Sequence, residues 1–469
     1  MNHERGSSTG PLAVFVLAIA FLSFVGGAVI AVARVFPSGF IRDAYLAGTA
    51  LMDKRNRAGN PYASDLWVKA RTSRQGVTVH DPERAQPGLT LYTSGHAAAA
   101  YLVSMDGTVR HEWEKPYSAV WDESAAVRDP VPDAQAYFNK ARVLPNGDLL
   151  AIYIGVGDSP YGYGLVKLDK SSNLIWKNLD NFHHDFAVAG DGRIYGLTHS
   201  FRSAPLEGVD HLPKPVLEDF LVLVSPEGRT LKRVSLLEAV NRSKDYRKLL
   251  WRIPYYSLED PLHVNSVDVL DADQARSLAT RIPVAAEGQV LLSFRELAGG
   301  SLALLDVDRR EIVWATRGAW LSQHDADIQP DGNIMLFDNR GDAGDAGRSR
   351  VIEIDPANGG GITWMYRGSA ESPLESRIRA SQQAQPNGNV LITESNGGRV
   401  LEVTRSGDIV WEYINPVRVG EETHRGRNGL QGDLIPVVSW AQRVDIASLQ
   451  AGFRSAILDK QLTRQEAYQ

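Results

Sequence analysis

Cysteine is absent from all 469 residues. That excludes disulfides, thiolate nucleophiles, cysteine-ligated zinc and iron–sulfur clusters. A basic excess is lacking too: the formal net charge is −6, unlike a nucleic-acid surface, which is normally basic. No helical repeat pattern and no Gly-rich phosphate loop occur, and the repeats described below do not end in a Trp-Asp pair. With 42 Gly, 23 Pro and 43% hydrophobic residues, the composition is that of a soluble globular chain of one large or two medium domains.

One long uncharged run is present, Gly6–Ala33, bounded by Arg5 and Arg34, with Leu12–Val32 mostly apolar. It is long enough to span a bilayer as a helix, and Ser8 and Thr9 ahead of Pro11 suit a helix start. Ala31-Val32-Ala33 has the small-x-small form of a signal cleavage site. The apolar region is longer than a usual signal core, which favours an uncleaved anchor. Arg34, Arg42, Lys54, Arg55 and Arg57 follow the helix, so the positive-inside rule alone leans toward a cytoplasmic C-terminal part. Residues 1–36 are read as the anchor. Residues 37–87, with an amphipathic piece around Ile41–Arg55, are read as a helical or irregular spacer.

From Gly88 short alternating strands recur. A strand–turn–strand unit appears as LVSMDGTVRHEW, VKLDKSSNLIW, VLVSPEGRTLK, LLDVDRREIVW, EIDPANGGGITW and EVTRSGDIVW, ending at Trp113, Trp176, Lys232, Trp314, Trp364 and Trp411. The widest gap, Lys232 to Trp314, implies an insertion. Repeats of roughly 40–50 residues with four short strands and an aromatic marker predict a β-propeller. Six starts predict six blades over 88–445, with the tryptophans as spacers between blades and a helical tail over 446–469.

The first five units are each followed by a hairpin, whose turns are Pro145-Asn146-Gly147, Gly190-Asp191-Gly192, Glu287-Gly288, Pro330-Asp331-Gly332 and Pro386-Asn387-Gly388. Eight residues before the turn glycine stand Asn139, His184, His324 and Ala380. His263 opens the unit that is interrupted by Asp271–Glu287. Seven residues after the glycine stand Ile154, His199, Arg295, Asn339 and Ser395. These positions are cross-strand neighbours at the hairpin mouth, pairing His184 with His199, His263 with Arg295, and His324 with Asn339. His183, one residue out of register, is expected to point away. Equivalent positions of propeller blades meet at one mouth of the central channel, which gathers His184, His263, Arg295 and His324. Imidazoles alone could ligate zinc, copper or iron. No carboxylate stands at these positions, and the arginine suits an oxyanion better. Asp342–Gly347 (DAGDAG) lacks the terminal bidentate acid of a calcium loop.

The stretches FHHDFAV, LHVNSVDV, LLSFRE, SQHDADIQPDGNIMLFDNR, SRVIEIDP and QAQPNGNVLITESNGGRVLEVTRSGDIVWEYINP resemble the arylsulfotransferase family from about Gly76 to Pro416. The resemblance implies a six-bladed propeller and nucleotide-independent transfer of a sulfuryl group from a phenolic sulfate ester to a phenol, without a cofactor. His324 then matches the histidine that takes the group covalently. His263 and Arg295 match the groups that hold its oxygens, and His184 matches a proton-transfer residue. Asn339, His199 and Asn139 are expected to contact substrate. The resemblance also favours the periplasmic side for the propeller, against the positive-inside signal, while the retained membrane anchor departs from the family. The insertion around Asp271–Pro283 is expected beside the site. The alternative is a non-enzymatic accessory subunit of a membrane complex.

Overall fold

The computed structural model describes residues 9–33, 38, 60–342, 348–424 and 431–459, in two compact units, 1–60 and 61–469. In the first, Thr9–Ala33 forms one helix, and Pro11–Ile30 is long and apolar enough to cross a membrane. The amphipathic piece expected around Ile41–Arg55 lies outside the described residues, as do most of Asp342–Gly347 and the end of the tail.

The second unit is a six-bladed β-propeller of four-stranded antiparallel sheets. Blade I consists of Val438–Val444, Leu89–Ser94, Ala99–Val103 and Val109–Glu114. Blade II runs over 136–178, blade III over 182–235, blade IV over 264–316, blade V over 324–366 and blade VI over 381–414. The sequence unit therefore straddles two blades: its strand–turn–strand closes one blade, and the hairpin after it opens the next. The ring is closed by the C-terminal strand Val438–Val444, which pairs with Leu89–Ser94 as the innermost strand of blade I. Part of the expected spacer is strand as well. Trp67–Lys69 pairs with Leu434–Pro436, and Gly76–His80 adds a fifth strand to blade VI. A tight hairpin turn joins the inner strand pair in blades II, III, V and VI. In blade V, Gly332 takes φ 83°, and a Cβ there would stand 2.6 Å from the Ser277 carbonyl oxygen, so glycine is required.

The tryptophans do more than fill space. Their indole N–H groups donate across blade boundaries: Trp113 to the Gly147 carbonyl at 3.1 Å, Trp176 to Pro226 at 2.9 Å, Trp364 to Arg405 at 2.9 Å and Trp411 to Met105 at 2.9 Å. Lys232, at the equivalent place in blade III, reaches Asp308 of blade IV instead, at 2.8 Å. Each indole bond contributes about 1 kcal/mol and fixes one blade against the next.

Inner strands of adjacent blades share no backbone ladder, so their channel-facing N–H groups need side-chain acceptors. Asp185 accepts from the Val267 amide at 2.8 Å, Asp268 from Ile328 at 3.1 Å and Asp325 from Gln382 at 2.9 Å. Each acid thus caps the next blade. Lys140 pairs with Asp185 and lies 3.9 Å above the Trp440 ring. This acidic belt plugs the channel between the mouth where the inner strands begin and the mouth where they end.

The insertion after blade IV's first strand is a helix, Ala272–Ala279, capped by Asp271 and Gln274. Ser277 Oγ donates to the Pro330 carbonyl at 2.7 Å, which places the helix at the far end of the blades. His263 precedes the strand and the insertion follows it, roughly 20 Å on at ~3.3 Å per residue. The insertion is therefore not beside the site, contrary to expectation. A second insertion accounts for the rest of the wide gap: helix Leu236–Arg242 and two short turns, Arg247–Arg252 and Tyr255–Ser257, between blades III and IV.

Burial pushes the Asp325 carboxyl up to about 7, with Lys140 opposing, whereas an unfolded aspartate titrates near ~3.9. The folded chain therefore keeps this proton longer than the unfolded chain, and stability falls as pH rises from about 4 to about 7. Asn at this position keeps an oxygen for the Gln382 amide without titrating. Melting of Asp325→Asn against the parent should show a gain in Tm that is largest above pH 7 and vanishes toward pH 4.

Candidate active site

The mouth where the inner strands begin holds a cavity of about 230 Å³. His184, His263, Arg295, His324 and Asn139 line it, together with Tyr137, Tyr161, Arg379, Ile154 and Ile378. Strained backbone surrounds it: His184, His263, Ser322, Asp325, Arg379 and Ala380 all have φ between 46° and 76°, a region costly for residues other than glycine. The inner strands also bulge here in blades I to V, which turns extra side chains into the channel.

The bulges alter the expected pairings. His263 does stand opposite Arg295, whose amide donates to the His263 carbonyl at 3.1 Å. In blade III two residues, His184 and Asp185, are taken up by the bulge, so the His199 amide pairs with Asn181 and not with His184. In blade V His324 stands opposite Phe337. Asn339 nonetheless reaches it through its side chain. His183 keeps its pairing with Leu197 ahead of the bulge and stands behind the cavity, stacked on His199 with ring centroids 4.3 Å apart. Asn339 and His199 are both fully buried and stand behind the cavity wall. Asn139 spends its amide on the His184 carbonyl, 2.8 Å away.

His324 has a defined tautomer. Asn339 Nδ2 donates to the carbonyls of Ser376 and Arg379, both at 2.8 Å, which leaves Asn339 Oδ1 facing His324 Nδ1 at 2.8 Å. The Ser322 carbonyl is 3.1 Å from the same nitrogen. Two acceptors require Nδ1 to carry the proton, so Nε2 holds a lone pair. Burial, then the nearby Arg295 charge, lowers the His324 pKa to about 3. The ring is neutral at physiological pH.

His263 has a different partner. Its Nδ1 lies 2.5 Å from Asp260 Oδ2, and Arg295 Nη1 lies 3.4 Å from its Nε2. Burial opposes the charged ring, but the Asp260 carboxylate outweighs it and raises the His263 pKa. Arg379, buried at the blade VI edge, donates to the Tyr137 hydroxyl at 3.0 Å and pairs with Asp65 at 3.0 Å. Burial keeps Tyr161 a phenol, its pKa well above the ordinary value, 3.5 Å from His184 Nδ1. Register counting missed Arg379 and Tyr161. Arg379 adjoins Ala380, the blade VI position eight before the glycine, and was one residue from being found. Tyr161 comes from a turn after the second strand of blade II and carries no register signal.

A cluster behind the cavity has the form of a metal site: His183, His199 and Asp219, with one donor atom each, all mutually within 4.8 Å. The chemistry does not fit. His199 Nε2 accepts the Gly162 amide at 3.1 Å, so the neutral ring carries its proton on Nδ1, the atom that would have to ligate.

Residues 140–416 match the sequence model of the arylsulfotransferase (ASST) family. No curated protein matches the chain. Solved structures with a similar fold include a protein of unknown function from Bacteroides caccae, at 10% identity and TM-score 0.44, covering 75% of this chain and 99% of that one. Another is a streptogramin B lyase, at 12% identity and TM-score 0.37, covering 75% and 87%. A third is BamB from Moraxella catarrhalis, at 11% identity and TM-score 0.32, covering 75% and 88%. Likenesses this remote carry no argument about chemistry.

Nitrogen-15 NMR of histidine-labelled protein should show His324 protonated on Nδ1, bare on Nε2 and unchanged between pH 5 and 8, since the whole range lies above its pKa. A midpoint near 6.5 would contradict the assignment.

Proposed function

The chain belongs to the arylsulfotransferase family, and from that premise we propose that it moves a sulfuryl group from a phenolic sulfate ester to a phenolic acceptor through a covalent intermediate on His324. The observation that carries this reading is the pinned tautomer: a neutral imidazole whose one free lone pair opens onto a cavity lined by Arg295 and Arg379.

Sulfuryl transfer, like phosphoryl transfer, spreads negative charge over peripheral oxygens, and fixed donors stabilise that charge. Arg295 and the Asp260-paired His263 are placed to hold these oxygens, and Arg379 adds a second guanidinium. Tyr137, Tyr161, Ile154 and Ile378 give the aryl ring an apolar wall. His324 Nε2 attacks sulfur and the aryl oxygen departs with a proton, which His184 supplies. An acceptor phenol then attacks the sulfurylated histidine. Two half-reactions through one covalent histidine give ping-pong kinetics. No cofactor enters the scheme. We place the propeller on the periplasmic side of a membrane held by the N-terminal helix; a chain without cysteine suits an oxidising compartment.

His324→Asn should abolish turnover of 4-nitrophenyl sulfate with phenol acceptors while melting like the parent. Intact-mass measurement of the parent mixed with donor alone should show one added SO3, mapped to His324. Undiminished turnover in the variant would remove His324 as nucleophile.

A further inference from the structure

Behind His184 a second histidine and a carboxylate continue inward. His183 Nδ1 lies 2.8 Å from His184 Nδ1, and His183 Nε2 lies 3.3 Å from Asp219 Oδ1. Those last two atoms are buried, and neither makes a hydrogen bond among the described residues, so the pair is a close approach of an imidazole and a carboxylate. His183 is 0% exposed and Asp219 1%. The other Asp219 oxygen accepts the Val264 amide at 2.9 Å, which ties the carboxylate to the strand that begins beside His263. Stacking on His199 fixes the plane of the His183 ring. His184 lines the cavity, and its Nε2 has no hydrogen-bond partner among the described residues.

A hydrogen bond between two Nδ1 atoms requires one to donate and the other to accept. If His183 is neutral, with Nε2–H toward Asp219, its Nδ1 accepts from His184, and His184 presents a bare Nε2 to the cavity. If His183 is an imidazolium paired with Asp219, its Nδ1 donates, and His184 presents Nε2–H. The same three residues thus offer the cavity a base or an acid, according to where one proton rests.

We propose that His183 and Asp219 are the inner end of a proton relay that holds, away from solvent, the proton exchanged between leaving and accepting phenols. This rests on the sulfuryl-transfer reading above. In the first half-reaction the sulfur–aryl oxygen bond breaks as the bond from His324 Nε2 to sulfur forms. The aryl oxygen keeps the electron pair and takes the Nε2 proton of His184. His184 Nδ1 takes the Nδ1 proton of His183, which becomes neutral. In the second half-reaction the acceptor oxygen bonds to sulfur, and the nitrogen–sulfur pair returns to His324. The phenol proton goes to His184 Nε2, and the Nδ1 proton returns to His183. Protons balance over the cycle with none drawn from water. Burial, with the neighbouring imidazoles, lowers the His184 pKa well below the ordinary value, so passing the proton on lets this ring act while staying neutral. His183 and Asp219 touch no substrate; they are positioning residues acting through His184.

The test uses full-length protein and a series of aryl sulfates whose leaving phenols span a range of acidity, with single-turnover loading of His324 followed by intact mass. Proton supply matters most for a poor leaving group. In His183→Asn, loading from unsubstituted phenyl sulfate should fall roughly a hundredfold, the low end for general-acid catalysis, and from 4-nitrophenyl sulfate only several-fold. The dependence on leaving-group acidity would steepen. Asp219→Asn, which keeps an oxygen for the Val264 amide, should steepen it likewise and serves if His183→Asn does not fold. An equal fall for every donor in folded variants, or no fall, would overturn the relay and leave sulfuryl transfer standing. A parent protein that never gains SO3 from any aryl sulfate would overturn the transfer reading and the relay with it.

Discussion

The structure depends on how the innermost strands satisfy their backbone. Six short strands face a common channel, and neighbouring blades share no hydrogen-bond ladder there, so each presents a sheet edge to the interior. Unpaired buried amides would be costly. Asp185, Asp268 and Asp325 answer the amides of the next blade in turn. Asn265 donates to the Gln323 carbonyl at 2.7 Å, and Asn139 to that of His184. The channel is polar because the fold requires it, and the belt holds buried acids whose charge costs stability.

That stitching also positions the site. Below the mouth, polar side chains are spent on backbone groups of the next blade. At the mouth the inner strands begin, the bulges add residues, and the side chains have a cavity in place of a neighbour. The belt acids are spent on backbone amides, whereas at the rim Asp260 and Asp65 are paired with His263 and Arg379. Arg295 and His324 line the cavity beside them. Left-handed backbone at His184 and His263 is held by the surrounding blades, which over-determine it.

Much of this was legible in the sequence because it is local. Strand–turn–strand units, hairpin glycines and the Trp113-to-Trp411 series carry the blade count, since alternation and turn chemistry are short-range signals. Six cavity residues, Asn139, Ile154, His184, His263, Arg295 and His324, came from counting along hairpins. What the sequence hid is what bulges and closure decide. A bulge of two residues in blade III moved His199 away from His184 and left the His184 ring against that of His183, which strict alternation could not anticipate. The closing strand Val438–Val444 pairs with residues some 350 positions earlier; it reads as an ordinary apolar stretch until the ring is built. Asp260 and Asp219, which set the character of two histidines, come from an inter-blade insertion and a third strand, outside the hairpin register.

The three cavity histidines show how the partner behind a ring decides what the ring can do. A carboxamide whose NH2 group is spent on two carbonyls offers its oxygen only as an acceptor; it pins a proton on His324 Nδ1 and leaves Nε2 bare, as a nucleophile needs. A carboxylate stabilises positive charge, and so Asp260 favours the protonated ring of His263, beside Arg295. Another imidazole can give or take, and so His184 backed by His183 has no fixed tautomer. Exchanging these partners would exchange the roles, although the rings and their positions stayed the same. The specificity of the site therefore lies one residue deeper than its surface, in Asn339, Asp260 and the His183–Asp219 pair.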